Sequence, residues 1–139
     1  MASHLKYSAL LVDDDATSNF LNSTVVIESD YFDQPVIFSD PQTALAYLHQ
    51  NCILSKGKSF PQLMLVDINM PGMDGFEFVE KLKQLCTDVM DQTLLCFLSS
   101  STSGRDKTQA KALGVECFYP KPFEARHMEE LVNTLKNRF

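Results

Sequence analysis

No apolar stretch in this chain approaches the ~20 residues that a membrane-spanning helix needs. The apolar run near the N-terminus, in MASHLKYSALLVDDD, is short and is cut off by three carboxylates, which excludes a signal peptide as well as a span. No dense run of lysine or arginine occurs either. Twelve basic residues stand against 18 acidic ones, a formal charge of -6. Phosphate-backbone binding needs a basic face, so direct nucleic-acid binding is not expected. The four cysteines, Cys52, Cys86, Cys96 and Cys117, are scattered without a CxxC pair, which argues against a zinc site or a disulfide framework. Cys96 and Cys117 fall in apolar runs and read as small core residues. Repeats, linkers and low-complexity tracts are absent. A cytosolic protein follows.

What is present suffices for a core. Hydrophobic residues make up 45% of the 139, enough to fold one compact domain, residues 1–139 with a core at about 7–138, without help from disulfides or a structural metal. Five short runs rich in Val, Leu, Ile or aromatics read as buried strands: Ser8 to Val12, Pro35 to Phe38, Leu63 to Val66, Leu94 to Leu98, and Cys117 to Tyr119.

Helical spacing fills the gaps between them. From about Thr17 to Glu28, Phe20, Leu21, Thr24, Val25 and Ile27 are expected to share an inward face. Asp40-Pro41 caps a second helix that turns Ala44, Leu45 and Leu48 inward. The third follows Gly75 with Phe76, Val79, Leu82 and Cys86. The fourth opens at Ser103 with Asp106 in a capping-box position and stops at Gly114. The fifth carries Met128, Leu131, Val132 and Leu135 on one stripe, with Glu124, Glu129 and Lys136 outside. Asn51 to Pro61, with Gly57 and two lysines, is the most loop-like segment. His4, His49 and His127 lie on expected surface segments and suggest no role. Strand and helix alternate five times, which implies an α/β fold: a parallel sheet with right-handed helical crossovers on both faces.

In such a sheet ligands gather at the carboxyl ends of the strands. Asp13, Asp14 and Asp15 follow the first strand, Asp67 the third, Ser99 the fourth and Lys121 the fifth. If the first and third strands are neighbours, Asp13, Asp14 and Asp67 converge and repel one another, which raises their pKa values and invites a divalent cation. Oxygen ligands favour Mg²⁺ or Mn²⁺ over zinc. A lysine and a hydroxyl aimed at the same spot would neutralise and hydrogen-bond phosphoryl oxygens, leaving a carboxylate free to attack phosphorus.

Asp13-Asp14, the run Leu65-Val-Asp67-Ile-Asn-Met-Pro-Gly-Met-Asp-Gly75, Ser99-Ser100 and Lys121-Pro-Phe123 together resemble the two-component response-regulator receiver domain, from about Tyr7 to Phe139. The resemblance implies a doubly wound (βα)5 sandwich with a flavodoxin-like strand order 2-1-3-4-5. It implies Mg²⁺-dependent acceptance of a phosphoryl group on Asp67, from a histidine kinase or a histidine phosphotransfer domain. Asp14 and Asp67 would bind the metal directly, Asp13 through a water, and Asn69 through its backbone carbonyl. Ser99 would move to contact the phosphoryl group, and Lys121 would pair with Asp67 before modification and with phosphoryl oxygen after it. Ser100 would be small enough to admit the donor, and Ser101 with Asn69 would tune dephosphorylation. Lys121-Pro122 would be a cis peptide.

Phe118 occupies the position of a switch aromatic, where a buried core Phe is the other reading; without a hydroxyl it would act by packing into space vacated by Ser99. Tyr119 should face the opposite side. The output face would comprise the fourth helix, fifth strand and fifth helix, about 104 to 138. The Met1 start and short tails point to a complete chain without an output domain, although a piece of a longer protein is the alternative.

Asp15 reads as a helix cap. A different class of function competes: Leu10 to Thr17 also looks like the strand and DxDxT motif of haloacid-dehalogenase-type phosphohydrolases, with Asp13 as nucleophile and Asp15 as general acid. Against it, Ser99 to Thr102 stands where that fold carries a later acidic pair. A phosphate-independent binding module would normally have lost an acidic residue or the lysine, and all are present. A signalling switch, not a turnover enzyme, is the expected function.

Overall fold

The structure is a computed structural model that describes residues 6–54, 60–101 and 103–139. His4, Thr102 and the Gly57 stretch of the expected loop lie outside the described residues. In chain order the elements are β1 (Ala9–Val12), α1 (Ala16–Glu28), β2 (Val36–Phe38), α2 (Pro41–Leu54), β3 (Leu63–Asp67), α3 (Gly75–Leu85), α4 (Val89–Gln92), β4 (Leu94–Ser99), α5 (Gly104–Ala112), β5 (Cys117–Pro120) and α6 (Ala125–Arg138). The strands pair in parallel in the order β2-β1-β3-β4-β5, the flavodoxin-like order.

Every residue of β1, β3 and β4 is buried. Helices cover both faces of the sheet, so these strands have no polar side to show. Leu10, Val12, Met64, Val66, Leu95 and Phe97 point to one face and pack with α2, α3 and α5. Ala9, Leu11, Leu63, Leu65, Cys96 and Leu98 point to the other, against α1 and α6. Phe118 belongs to the first face and Tyr119 to the second, as alternation along a strand requires.

The expected helix ends are present, with their chemistry. Asp40 accepts from the Gln42 N–H (3.0 Å) and the Thr43 hydroxyl (3.0 Å) at the start of α2. Asp74 and Glu77 cap α3 reciprocally, at 2.9 and 3.2 Å. Ser103 accepts from the Asp106 N–H at 3.3 Å, and Gly114 sits at φ +89°, a left-handed stop. The α3 stripe of Phe76, Val79, Leu82 and Cys86 is buried, as is Phe78. Burying a Phe or Leu completely contributes about 2–3 kcal/mol.

Five expectations need correction. Strict alternation is broken by α4, a single turn held by Val89 and Thr93 N–H donors to Cys86 and Val89 carbonyls at 3.0 and 3.1 Å; one turn is too short for a periodicity to register. The loop-like segment begins later than expected, because α2 runs on to Leu54. His127 is not a surface residue: it is 5% exposed. Its Nδ1 accepts from the Glu124 N–H at 3.0 Å, and its ring lies 4.7 Å from that of Tyr119 and 5.8 Å from that of Phe123.

The fourth concerns the strands, of which the second is not buried: Val36 and Ile37 on the edge strand β2 are 39% and 41% exposed. The fifth correction concerns α1. Its inward residues are Asn19, Asn22, Ser23 and Val26, spaced i, i+3, i+4, i+7. Phe20, Leu21 and Ile27, expected inside, are 69%, 52% and 41% exposed. The helix therefore packs largely on its small polar side and turns large apolar groups outward.

Candidate functional site at the carboxyl edge of the sheet

Parallel pairing puts the ends of β1, β3, β4 and β5 along one edge, where Asp13, Asp14, Asp67 and Lys121 meet. Carboxylate oxygens of Asp13, Asp14 and Asp67 lie within 4.8 Å of one another. Asp13 and Asp67 are buried while Asp14 is exposed, so the cluster opens to solvent on one side. Lys121 reaches in from the end of β5, its Nζ 2.7 Å from Asp13 Oδ2 and 3.3 Å from Asp67 Oδ1. The lysine therefore bridges two carboxylates, and its shorter contact is with Asp13.

Local backbone bonds hold each group in place. Asp13 Oδ1 accepts from the Asp15 N–H at 2.9 Å. Asp67 Oδ1 accepts from the Asn69 N–H at 3.3 Å. The Lys121 N–H donates to the Ser99 carbonyl at 2.8 Å, joining the ends of β4 and β5. Ser99 is wholly buried at the end of β4, and its Oγ accepts from the Ser101 N–H at 3.0 Å. Ser100, Ser101 and Asn69 are exposed at the rim. Phe118 is half-buried, with Lys107 Nζ 5.8 Å from its ring centre. The Lys121-Pro122 peptide is cis.

The turn after β3 uses its two glycines differently. Gly72 has φ +81° and open space around it, so its need is conformational. Gly75 has no such φ. A Cβ there would lie 2.8 Å from the Asp67 carbonyl oxygen and 2.9 Å from Ile68 Cα, so the need is for close approach. The Gly75 N–H also donates to the Ile68 carbonyl at 2.8 Å.

Electrostatics follow from this crowding. Burial first, and the Asp13 charge second, push the Asp67 carboxyl up to about 6, against the pull of Lys121. Burial opposes the charge on Lys121, but the hydrogen bond and charge of Asp13, with the charge of Asp67, outweigh it and raise its pKa. Three carboxylates and one ammonium leave a formal charge of −2. That excess, the all-oxygen donor set and the open side at Asp14 fit a hard divalent cation such as Mg²⁺.

Asp15 is not part of the cluster. Its carboxylate caps α1, accepting from the Ser18 N–H (3.1 Å) and hydroxyl (2.8 Å), and these bonds hold its pKa low. Asn19 was not anticipated. Buried one turn into α1, it donates from Nδ2 to the Asp13 carbonyl at 2.8 Å and so ties the helix to the acidic cluster. The sequence signal was the 19, 22, 23, 26 spacing, hidden because three of its members are polar.

A five-stranded parallel sheet in this order, with a lysine-bridged carboxylate cluster at its carboxyl edge, defines a flavodoxin-like α/β domain. The chain belongs to the response regulator receiver domain family, whose profile matches residues 9–133. It is 31% identical to a two-component response regulator from Cytophaga hutchinsonii whose crystal structure superposes with a TM-score of 0.86, covering 96% of this chain and 99% of that one. Chemotaxis protein CheY4 of Vibrio cholerae matches at 26% identity and a TM-score of 0.72, over 97% and 100% of the chains. The transcriptional regulatory protein TctD of Salmonella typhimurium is 34% identical over 77 residues, 55% of this chain and 32% of its own length. The matched stretch thus spans about a third of such curated relatives. The phosphohydrolase alternative finds no support: the relatives are response regulators, and the carboxylate that would serve as its acid is a helix cap.

Proposed function

We propose that Asp67 is the phospho-acceptor of this receiver domain and that the chain works as a switch in a phosphorelay. The observation that carries this reading is Lys121 spanning Asp13 and Asp67 within 3.3 Å, with Asp14 alongside. Receiver domains of response regulators take phosphoryl groups from histidine kinases or phosphotransfer proteins, and the same class of donor is inferred here. An Asp67 oxygen attacks phosphorus, the donor's N–P bond breaks, and the imidazole leaves.

Mg²⁺ would be held by Asp13, Asp14, Asp67 and the Asn69 carbonyl, and when bound it neutralises charge on the transferring group. Lys121 orients phosphoryl oxygen, and Ser99 supplies a hydroxyl from the next strand. After transfer, Ser99 and Phe118 couple the site to the face formed by α5, β5 and α6, where a downstream protein binds. The exposed apolar side of α1 begins one turn from the acidic cluster and suits the surface of the donor protein. The chain functions as one unit in the cytoplasm, and no helix among the described residues is long and apolar enough to cross a membrane.

Intact mass after incubation with acetyl phosphate and Mg²⁺ tests the reading. One phosphoryl addition is expected, lost with EDTA and in Asp67→Asn. No addition under conditions where a known receiver reacts would overturn it.

A further inference from the structure

Folding brings the scattered cysteines into two pairs, and one of them has the features of a reversible dithiol. Cys52 lies in the last turn of α2, and Cys86 ends α3. The Cys86 thiol sits against that turn, 3.9 Å from the carbonyl of Leu48, one turn before Cys52, and Cys52 packs against the same buried cluster that contains Cys86. Both are free thiols, Cys52 half-buried and Cys86 buried. The second pair, Cys96 and Cys117, are register partners on β4 and β5. There the Cys96 thiol is wholly enclosed, facing the Phe97 carbonyl at 3.6 Å.

We propose that Cys52 and Cys86 form an oxidant-responsive pair that closes to an intramolecular disulfide, bracing α2 against α3 at the end of the molecule away from the acidic cluster. Access assigns the roles. Cys52 is the sulfur a small hydroperoxide can meet, and Cys86 waits behind it. Burial, then the contact with Cys52, push the Cys86 thiol up to about 12, so it stays protonated at neutral pH and does not compete for the oxidant.

With hydrogen peroxide, the Cys52 sulfur attacks one oxygen and the O–O bond breaks, giving a sulfenic acid and one water. The Cys86 sulfur then attacks the Cys52 sulfur. The S–O bond breaks, and the departing hydroxide takes the Cys86 proton as a second water. The two sulfurs together lose two electrons, and one peroxide is reduced to two waters. A thiol reductant reverses the bond.

The bridge would close a loop of about 34 residues, from position 52 to 86, so it should raise Tm by roughly 5–10 °C. The test treats the intact protein with hydrogen peroxide, quenches with catalase, alkylates the remaining thiols in denaturant and maps peptides without reduction. A Cys52–Cys86 disulfide peptide, alkylated Cys96 and Cys117, and a Tm rise that dithiothreitol reverses would support the proposal. Cys52→Ser must lose both the linkage and the Tm rise while still accepting phosphate on Asp67, which separates this proposal from the phospho-acceptor reading. Cys86→Ala checks the partner without placing a hydroxyl in the core. A Cys96–Cys117 bridge in its place, a dimer linked through Cys52, unlinked over-oxidised Cys52, or an unmoved Tm would each overturn it.

Discussion

At the scale of single residues, Asp67 is held in a state that costs the fold something. Its native pKa of about 6 lies above the ordinary carboxylate value of 3.8 because it is buried beside another negative carboxylate. The folded protein therefore binds this proton more tightly than the unfolded chain does. The group's contribution to stability is full below about pH 4, and it is lost as pH rises through about 6, an effect on the order of 3 kcal/mol. Asp67→Asn removes the repulsion and should raise stability by about 1–3 kcal/mol at pH 7.5, with a smaller gain at pH 5. Urea unfolding of both proteins at the two pH values measures this, and an equal gain at both would contradict it. Gly75 gives a second prediction. Alanine there would push into the Asp67 carbonyl, so Gly75→Ala should cost about 1–3 kcal/mol and slow phosphorylation. Gly72→Ala, strained only in φ, should cost about 1–2 kcal/mol in the same denaturation assay and leave the phosphorylation rate intact.

At the scale of elements, α1 separates the residues that pack from large apolar ones left exposed. Because Phe20 and Leu21 are exposed, Phe20→Asp and Leu21→Asp should leave Tm within a degree or two of wild type. Both should slow phosphotransfer from a histidine-phosphorylated protein at least tenfold while leaving acetyl phosphate labelling unchanged; equal slowing of both donors would count against α1 as the donor surface. The same helix shows where sequence reasoning reached its limit. β1, β3 and β4 were legible because a strand buried on both faces has to be apolar throughout, whereas β2 and β5 are apolar without that burial. The α3 and α6 stripes were legible because their apolar residues are also their inward ones. On α1 the two properties part: Asn19 faces inward because the Asp13 carbonyl offers it a partner, and no local pattern encodes a partner six residues away across a turn. Asp13, Asp14, Asp67, Ser99 and Lys121 stood out because each follows an apolar run, and the family resemblance supplied the strand order that makes those strand ends neighbours. The nearness of Cys52 and Cys86 depends on how two helices dock, and the bridging of Lys121 toward Asp13 depends on side-chain packing.

At the scale of the whole molecule, a divalent cation held by the acidic cluster would link folding to metal concentration. Any ion bound only by the native state stabilises it, by about 2.7 kcal/mol at a hundredfold excess over its Kd. Mg²⁺ should therefore raise Tm at pH 7.5, raise it less at pH 5 where Asp67 is protonated, and have little effect on Asp14→Asn. A Tm indifferent to Mg²⁺ would argue against the assigned ligands. Burial also varies across the sheet: every residue of β3 and β4 is buried, whereas every residue of β5 is only half-covered. Amide hydrogens along β3 and β4 should therefore exchange only through global unfolding, while those of β5 exchange through cheaper local openings. Lys121 and Phe118 ride on that yielding edge strand, and Asp67 ends one of the rigid ones. A modification at the rigid strand can thus redistribute the conformers of its looser neighbour within the 1–3 kcal/mol typical of coupling between sites, without drawing on the free energy that keeps the centre of the sheet closed.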